Sequence, residues 1–150
     1  MRAILTLLWL LVLPAQGETL MSQHTATGTF EVKLDAQQDA NSPLGRWLLG
    51  KTFVGDLKGH SLGQMLAYGD PRSGSAGYVA LEVFTGSLNG KEGGFALAHK
   101  GEMDQGQQQL EVSVVPGSGS GALKGISGRL QIDIKDGQHF YHFQYRLPEP

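Results

Sequence analysis

Thr29-Phe30-Glu31-Val32-Lys33-Leu34 decides the fold. Phe30, Val32 and Leu34 alternate with Thr29, Glu31 and Lys33, the period of a strand with one buried face. The same period recurs down the chain. Trp47 to Leu57 reads as a second strand and Leu62 to Tyr68 as a third, joined at Lys58-Gly59-His60. Tyr78 to Gly86 follows, apolar on both faces, then Phe95 to His99 and Leu110 to Val115. Leu130, Ile132 and Ile134 alternate with Gln131, Asp133 and Lys135, and His139 to Leu147 closes the series. Asn89-Gly90 and Asp136-Gly137 supply the two positive-φ residues of a type I′ hairpin, and a further turn centres on Asp104-Gln105-Gly106. Ala36 to Gly45, polar and carrying Pro43, reads as a long surface loop. No segment longer than a turn carries a helical stripe.

Eight sequential strands with short turns predict an all-β antiparallel meander. Closing it into a barrel of about eight strands removes the exposed edges that would otherwise invite pairing with other chains. Such a barrel has room inside for side chains or one small ligand. An open sandwich has the same periodicity and stays as the alternative.

Composition agrees with one packed domain. The chain has 150 residues, 40% hydrophobic and 17% charged, with 22 glycines and no cysteine. Glycine is about twice its usual share of roughly 7% and follows no collagen-like period, which suits turns and bulges. Without cysteine there are no disulfides, thiolate zinc sites, cysteine nucleophiles or iron–sulfur clusters. Twelve Lys and Arg against fourteen Asp and Glu give a net charge of −2. That balance, with no basic run interleaved with aromatics, argues against nucleic-acid binding.

Residues 1–17, MRAILTLLWLLVLPAQG, have the anatomy of a signal peptide. Arg2 forms a positive n-region, Ala3 to Leu13 an apolar h-region, and Ala15-Gln16-Gly17 places small residues at a cleavage site. The run is short of the roughly 20 apolar residues of a membrane span, and no second apolar run exists. The expected organisation is a signal peptide at 1–17, a lead-in at 18–25 and one barrel domain at 26–148. The mature protein is then periplasmic or secreted, with no membrane span.

Val115-Pro116-Gly117-Ser118-Gly119-Ser120-Gly121-Ala122-Leu123-Lys124-Gly125-Ile126-Ser127-Gly128 is the densest glycine region. A phosphate cradle needs a following helix N-terminus or a Lys-Ser/Thr pair, whereas a strand follows here. The segment reads as bulges and a tight corner in a curled sheet.

Several blocks in order carry a family resemblance. They are Gly28-Thr29-Phe30-Glu31-Val32, Phe53-Val54-Gly55-Asp56-Leu57-Lys58-Gly59 with Gly63-Gln64-Met65-Leu66, Gly74-Ser75-Ala76-Gly77-Tyr78-Val79-Ala80-Leu81-Glu82, and Phe95-Ala96-Leu97-Ala98-His99-Lys100-Gly101-Glu102-Met103. Val114-Val115-Pro116-Gly117-Ser118-Gly119 and Gly137-Gln138-His139-Phe140-Tyr141 complete them. Together they resemble the bacterial domain-of-unknown-function family DUF3224 over roughly residues 26–148. The resemblance implies a barrel like that of allene oxide cyclase, and it implies no activity. Gly94 stands where that family usually has a small polar residue and Ala98 where it usually has glutamine. The signal peptide is also a departure, since most relatives look cytoplasmic.

Chemistry has few places to sit. Of the five histidines, His139 and His142 are three apart on one strand and point to opposite faces. A three-histidine metal site would have to be built across strands, so no metal or cofactor is expected. His99 shares a face with Phe95 and Leu97, near a barrel mouth. Glu82 shares a face with Tyr78 and Phe84. Were that face interior, a carboxylate would lie among apolar side chains. Were Val79, Leu81 and Val83 interior, Glu82 would be solvated. A solvated or structurally paired Glu82 is the favoured of these readings. On the last strand His139, Tyr141, Phe143, Tyr145 and Leu147 share one face as core, while Phe140, His142, Gln144 and Arg146 face solvent or a subunit interface. The candidate cavity-lining set is Tyr78, Glu82, Phe84, Phe95, His99, Tyr141 and Phe143, with no catalytic residue assigned. The function expected first is binding of a small apolar or amphipathic ligand in the barrel. An isomerase or cyclase using interior polar groups is the alternative, and a ligand-free homo-oligomeric module is the third reading. Self-association is expected from the apolar outer residues of the Tyr78–Gly86 strand.

Overall fold

A computed structural model describes residues 20–39 and 41–149. The expected signal peptide and the first residues of the lead-in lie outside the described residues. Strands β1 (Met21–Gln37), β2 (Gly45–Gly55), β3 (Leu57–Asp70), β4 (Ser75–Leu88) and β5 (Lys91–Asp104) run antiparallel, each to the next. They are followed by β6 (Gln107–Val114), a two-residue β7 (Ser120–Gly121), β8 (Ser127–Lys135) and β9 (Gln138–Pro148). β9 returns to β1, and β4 pairs with β5, so the eight long strands close into an antiparallel barrel.

The turns follow the local chemistry. Asn89 and Gly90 have φ of 48° and 80°, and Asp136 and Gly137 have 51° and 78°, the mirror-image turns that match strand twist. One junction differs from expectation. Lys58, Gly59 and His60 lie inside β3, and the chain reverses instead at Gly55-Asp56. Asp56 holds that reversal, its carboxylate accepting from the Thr27 amide at 2.8 Å.

The barrel has a filled half and a hollow half. At the filled end the aromatics pass contacts around the interior. Phe53 meets Phe84 at 5.6 Å between centroids, Phe84 meets Phe95 at 5.1 Å, and Phe95 meets Phe143 at 5.6 Å. The glycine-rich segment seals this end. It turns at Ser120–Gly121 against Gly93 and Gly94 of β5, and drops Leu123 and Ile126, 0% and 2% exposed, into the core. The expected tight corner is therefore also the plug of the barrel.

At the other end the walls are not knitted together all round. The β1–β9 ladder stops at Phe30↔His139, and β6 meets β8 at the single paired position Ser113↔Arg129. Both seams flank the β8–β9 hairpin, so side chains rather than ladder bonds complete the wall there. On the outside, Val79, Leu81 and Val83 of β4 are exposed beside Leu62 and Leu66 of β3. This is the outer face on which the expectation of self-association rests.

Candidate functional site

The parity of β4 decides what the hollow half contains. With Val79, Leu81 and Val83 outside, Tyr78, Ala80, Glu82 and Phe84 turn inward. Glu82 is thereby carried into the barrel, 0% exposed. A carboxylate that deep requires partners, and three neighbouring strands supply them. Lys51 Nζ on β2 donates to Glu82 Oε1 at 2.8 Å. Ser61 Oγ on β3 donates to Oε2 at 2.6 Å. His99 Nε2 on β5 lies 2.8 Å from Oε1. Since Oε1 belongs to an ionised carboxylate, Nε2 is the protonated nitrogen and donates.

Burial alone would raise the Glu82 pKa. The His99 hydrogen bond and the charge of Lys51 outweigh it and bring the group down from 4.5 to about 2. Glu82 is thus a fixed anion with its acceptors occupied. Lys51 also lies over the Phe30 ring, 4.8 Å from its centroid, which stabilises the ammonium where water is scarce.

Two glycines make room for this arrangement. Gly63 faces Glu82 in the register, and a Cβ there would strike the Leu81 carbonyl and the Glu82 backbone. Gly101 faces Tyr78, whose ring lies across it in the space a side chain would fill. Tyr78 is thereby laid along the cavity wall. Burial and then the charge of Glu82 push its phenol pKa up, so it stays a neutral hydroxyl.

Above the cluster lies a cavity of about 180 Å³. Lys51 and His99 form its polar floor, with walls from Phe30, Leu49, Ala80 and Ile132. It continues outward into a wider, mostly apolar space of about 500 Å³ at the mouth. The two share Leu34, Met65, Tyr78, Leu110 and Ile134, and Trp47 and Met103 stand at the outer rim.

The seven residues singled out from the sequence separate into groups. Tyr78 and His99 line the cavity, and Glu82 lies behind its floor. Phe84, Phe95 and Phe143 belong to the filled half, each no more than 1% exposed. Tyr141 serves the β2–β3 reversal, its hydroxyl accepting from the Leu57 amide at 2.8 Å. Lys51 and Ser61 were missed. Lys51 shares its strand parity with Leu49 and Phe53, and that alternation was the available signal. His139 also borders the cavity, but among the described residues no three His, Asp or Glu side chains converge.

The fold and site define a closed eight-stranded antiparallel barrel, filled at one end and hollow at the other, with one buried ion cluster between. The pattern of the family described as "Protein of unknown function (DUF3224)" matches residues 26–145. The chain belongs to the DUF3224 family. It is similar to the crystal structure of a protein of unknown function from that family from Shewanella oneidensis MR-1, with 44% identity and a TM-score of 0.79. That match covers 86% of this chain and 99% of the other. Among curated proteins none matches.

Proposed function

We propose that this protein binds a small apolar or amphipathic molecule in the hollow half of its barrel. The observation that carries the reading is the contrast between the two halves. One is filled by aromatics and a plug, whereas the other leaves an apolar-walled space that ends on two polar side chains. An apolar space with a few convergent polar groups is the common form of a small-molecule site. The residues 1–17 support placing this activity outside the cytoplasm, where the barrel would meet its ligand in the periplasm or medium.

The isomerase or cyclase alternative asks Glu82 to act as an acid or base. Its three donors and lowered pKa disfavour that, because the proton needed for acid catalysis is absent near neutral pH. An assembly module with no ligand leaves the hollow half without a purpose.

The test is native mass spectrometry of the protein purified from its source compartment, followed by a thermal-shift screen of amphipathic small molecules. A retained small molecule, or compounds that raise the melting temperature in the wild type and lose the effect when Met65→Trp fills the cavity, supports binding. Failure of both sinks it.

A further inference from the structure

We propose that two copies of this chain join through the free edge of β1, continuing the sheet as β2–β1–β1–β2 across a two-fold axis at Leu34. The inference does not depend on the ligand proposed above. It starts from where the barrel is left open. β1 pairs with β2 as far as Gln37, but its ladder to β9 ends at Phe30↔His139. Glu31 to Gln37 therefore have no strand on their second edge among the described residues. An edge left this way is a template for another strand. Where the ladder ends, an open notch of about 690 Å³ lies between β1 and the β8–β9 turn at Asp136-Gly137.

Backbone parity shows which groups are free. Thr27 gives its N–H to the Asp56 carboxylate, and its C=O accepts from the Asp56 amide, both on the β2 side. The β1–β2 register runs on without a bulge to Gln37. Residues of the other parity turn their polar groups the opposite way. Val32, Leu34 and Ala36 thus aim N–H and C=O at the empty edge.

Two independent features choose the same register. A two-fold axis normal to the sheet keeps each face on its own side, so it must pass through a residue of one parity or the other. Centred on Leu34, it uses the free stretch end to end, with Glu31 opposite the partner's Gln37. Val32 then exchanges backbone hydrogen bonds with the partner's Ala36, and Leu34 with the partner's Leu34. On the outer face the same register sets Lys33 against the partner's Asp35, and Asp35 against the partner's Lys33. Unlike charges directly opposite one another stabilise an antiparallel pair, and like charges oppose it. Lys33 and Asp35 are both exposed, and Asp35 accepts from Gln37 Nε2 at 3.1 Å within the chain. An axis at Lys33 would set Lys33 on its own copy and Glu31 on Asp35. One at Asp35 would set Asp35 on its own copy, and one at Val32 needs Phe30, whose edge β9 occupies.

The inner face gains as well. Leu34 borders both parts of the cavity and is nevertheless 55% exposed. The partner's Leu34 would lie against it and close this corner of the mouth. Each chain has one such stretch of β1, so the assembly stops at two copies. The apolar outer face of β3 and β4 offers side chains alone, with nothing that fixes how a second copy would sit.

The experiment is sedimentation velocity at micromolar concentration, on protein expressed from its full sequence and purified. The wild type is expected to be a dimer. Lys33→Asp puts two like-charge pairs into the interface and should raise the dissociation constant roughly 10-fold. Combining Lys33→Asp with Asp35→Lys restores unlike pairs and should recover the dimer. Leu34→Pro removes an N–H that only the partner would use, a change an edge strand tolerates, and should give a folded monomer. Leu81→Lys, on the outer face of β4, should leave the dimer intact. A monomeric wild type, a trimer or larger assembly, or a dimer indifferent to Lys33→Asp overturns the proposal. So does a dimer that Leu81→Lys alone dissolves, which would lie on the outer face. Should Leu34→Pro not fold, the charge exchange decides. None of these readouts involves a ligand, so the binding function stands or falls separately.

Discussion

Lys51 Nζ and Glu82 Oε1 lie 2.8 Å apart inside the barrel, with their side chains 8% and 0% exposed. Removing one partner of a buried pair leaves the other charge uncompensated, at a cost of about 3–5 kcal/mol. The two removals should not be equal. Lys51→Met leaves Glu82 with Ser61 and His99, whereas Glu82→Gln leaves Lys51 with no counter-charge in contact. Glu82→Gln should therefore lower the unfolding free energy in urea more than Lys51→Met does. The double variant should cost less than the two single costs combined. Strict additivity would mean that the pair contributes nothing as a pair.

The same carboxylate predicts an acid dependence. Its folded pKa of about 2 lies below its ordinary 4.5, so the unfolded chain binds the proton more readily. The stabilisation is therefore fully present above pH 4.5 and is lost as the pH falls toward 2. It is on the order of 3 kcal/mol by linkage. Other carboxylates titrate in this window too, so the quantity to measure is the stability difference between wild type and Glu82→Gln. That difference should shrink between pH 4.5 and 2. A constant difference across the window would mean that Glu82 is not held ionised by its neighbours.

The fold was legible where one face of a strand is apolar and the other polar, as in Thr29–Leu34, and where a turn needs positive φ, as at Asn89-Gly90. The site was less so, for two physical reasons. β4 is apolar on both sides because its outer face is an exposed apolar patch, so alternation could not orient Glu82. Lys51 reads as solvent-facing by residue type, and only the parity it shares with Leu49 and Phe53 points it inward. The division into filled and hollow halves depends on Leu123 and Ile126 folding back from a glycine-rich segment whose periodicity is silent. The Lys58-Gly59-His60 junction was misread because Gly59 breaks the pattern inside a strand. Its glycine serves close approach to Gly86 across the sheet rather than a turn.

Glycines on facing strands should respond differently to the same methyl group. At Gly63 a Cβ collides with the backbone of β4 beside Glu82, whereas at Gly50 it meets the flexible end of Leu62 at 3.6 Å and the Ser61 carbonyl at 3.9 Å, both at ordinary contact distance. Gly63→Ala forces strands apart at the ion cluster, and overpacking of this kind costs about 1–3 kcal/mol or more. Gly50→Ala should be neutral or slightly stabilising, since it reduces the freedom of the unfolded chain by about 0.4–1 kcal/mol. Melting temperatures of the two variants check this directly. A tolerated Gly63→Ala would show that β3 and β4 can separate without disturbing Glu82.

The two halves of the barrel should differ in what truncation costs. Phe84 is 0% exposed and touches Phe53 and Phe95, so Phe84→Ala empties a space that nothing can fill, at about 3–5 kcal/mol. Leu123→Ala removes the plug and belongs to the same class, at about 2–5 kcal/mol. Leu34 and Leu110 border the cavity and are 55% and 45% exposed. Their side chains already lack close neighbours on one side, so truncation to Ala should cost under about 1 kcal/mol, as the lost contacts are few. Urea denaturation of the four variants gives the comparison. Adding a ligand that fills the hollow should then reverse the ranking in one respect. Leu34→Ala and Leu110→Ala should lose part of the stabilisation that ligand gives the wild type, because stabilisation by binding follows affinity. Leu123→Ala, remote from the cavity, should keep it. If all four variants respond alike to ligand, the molecule binds somewhere other than the hollow half.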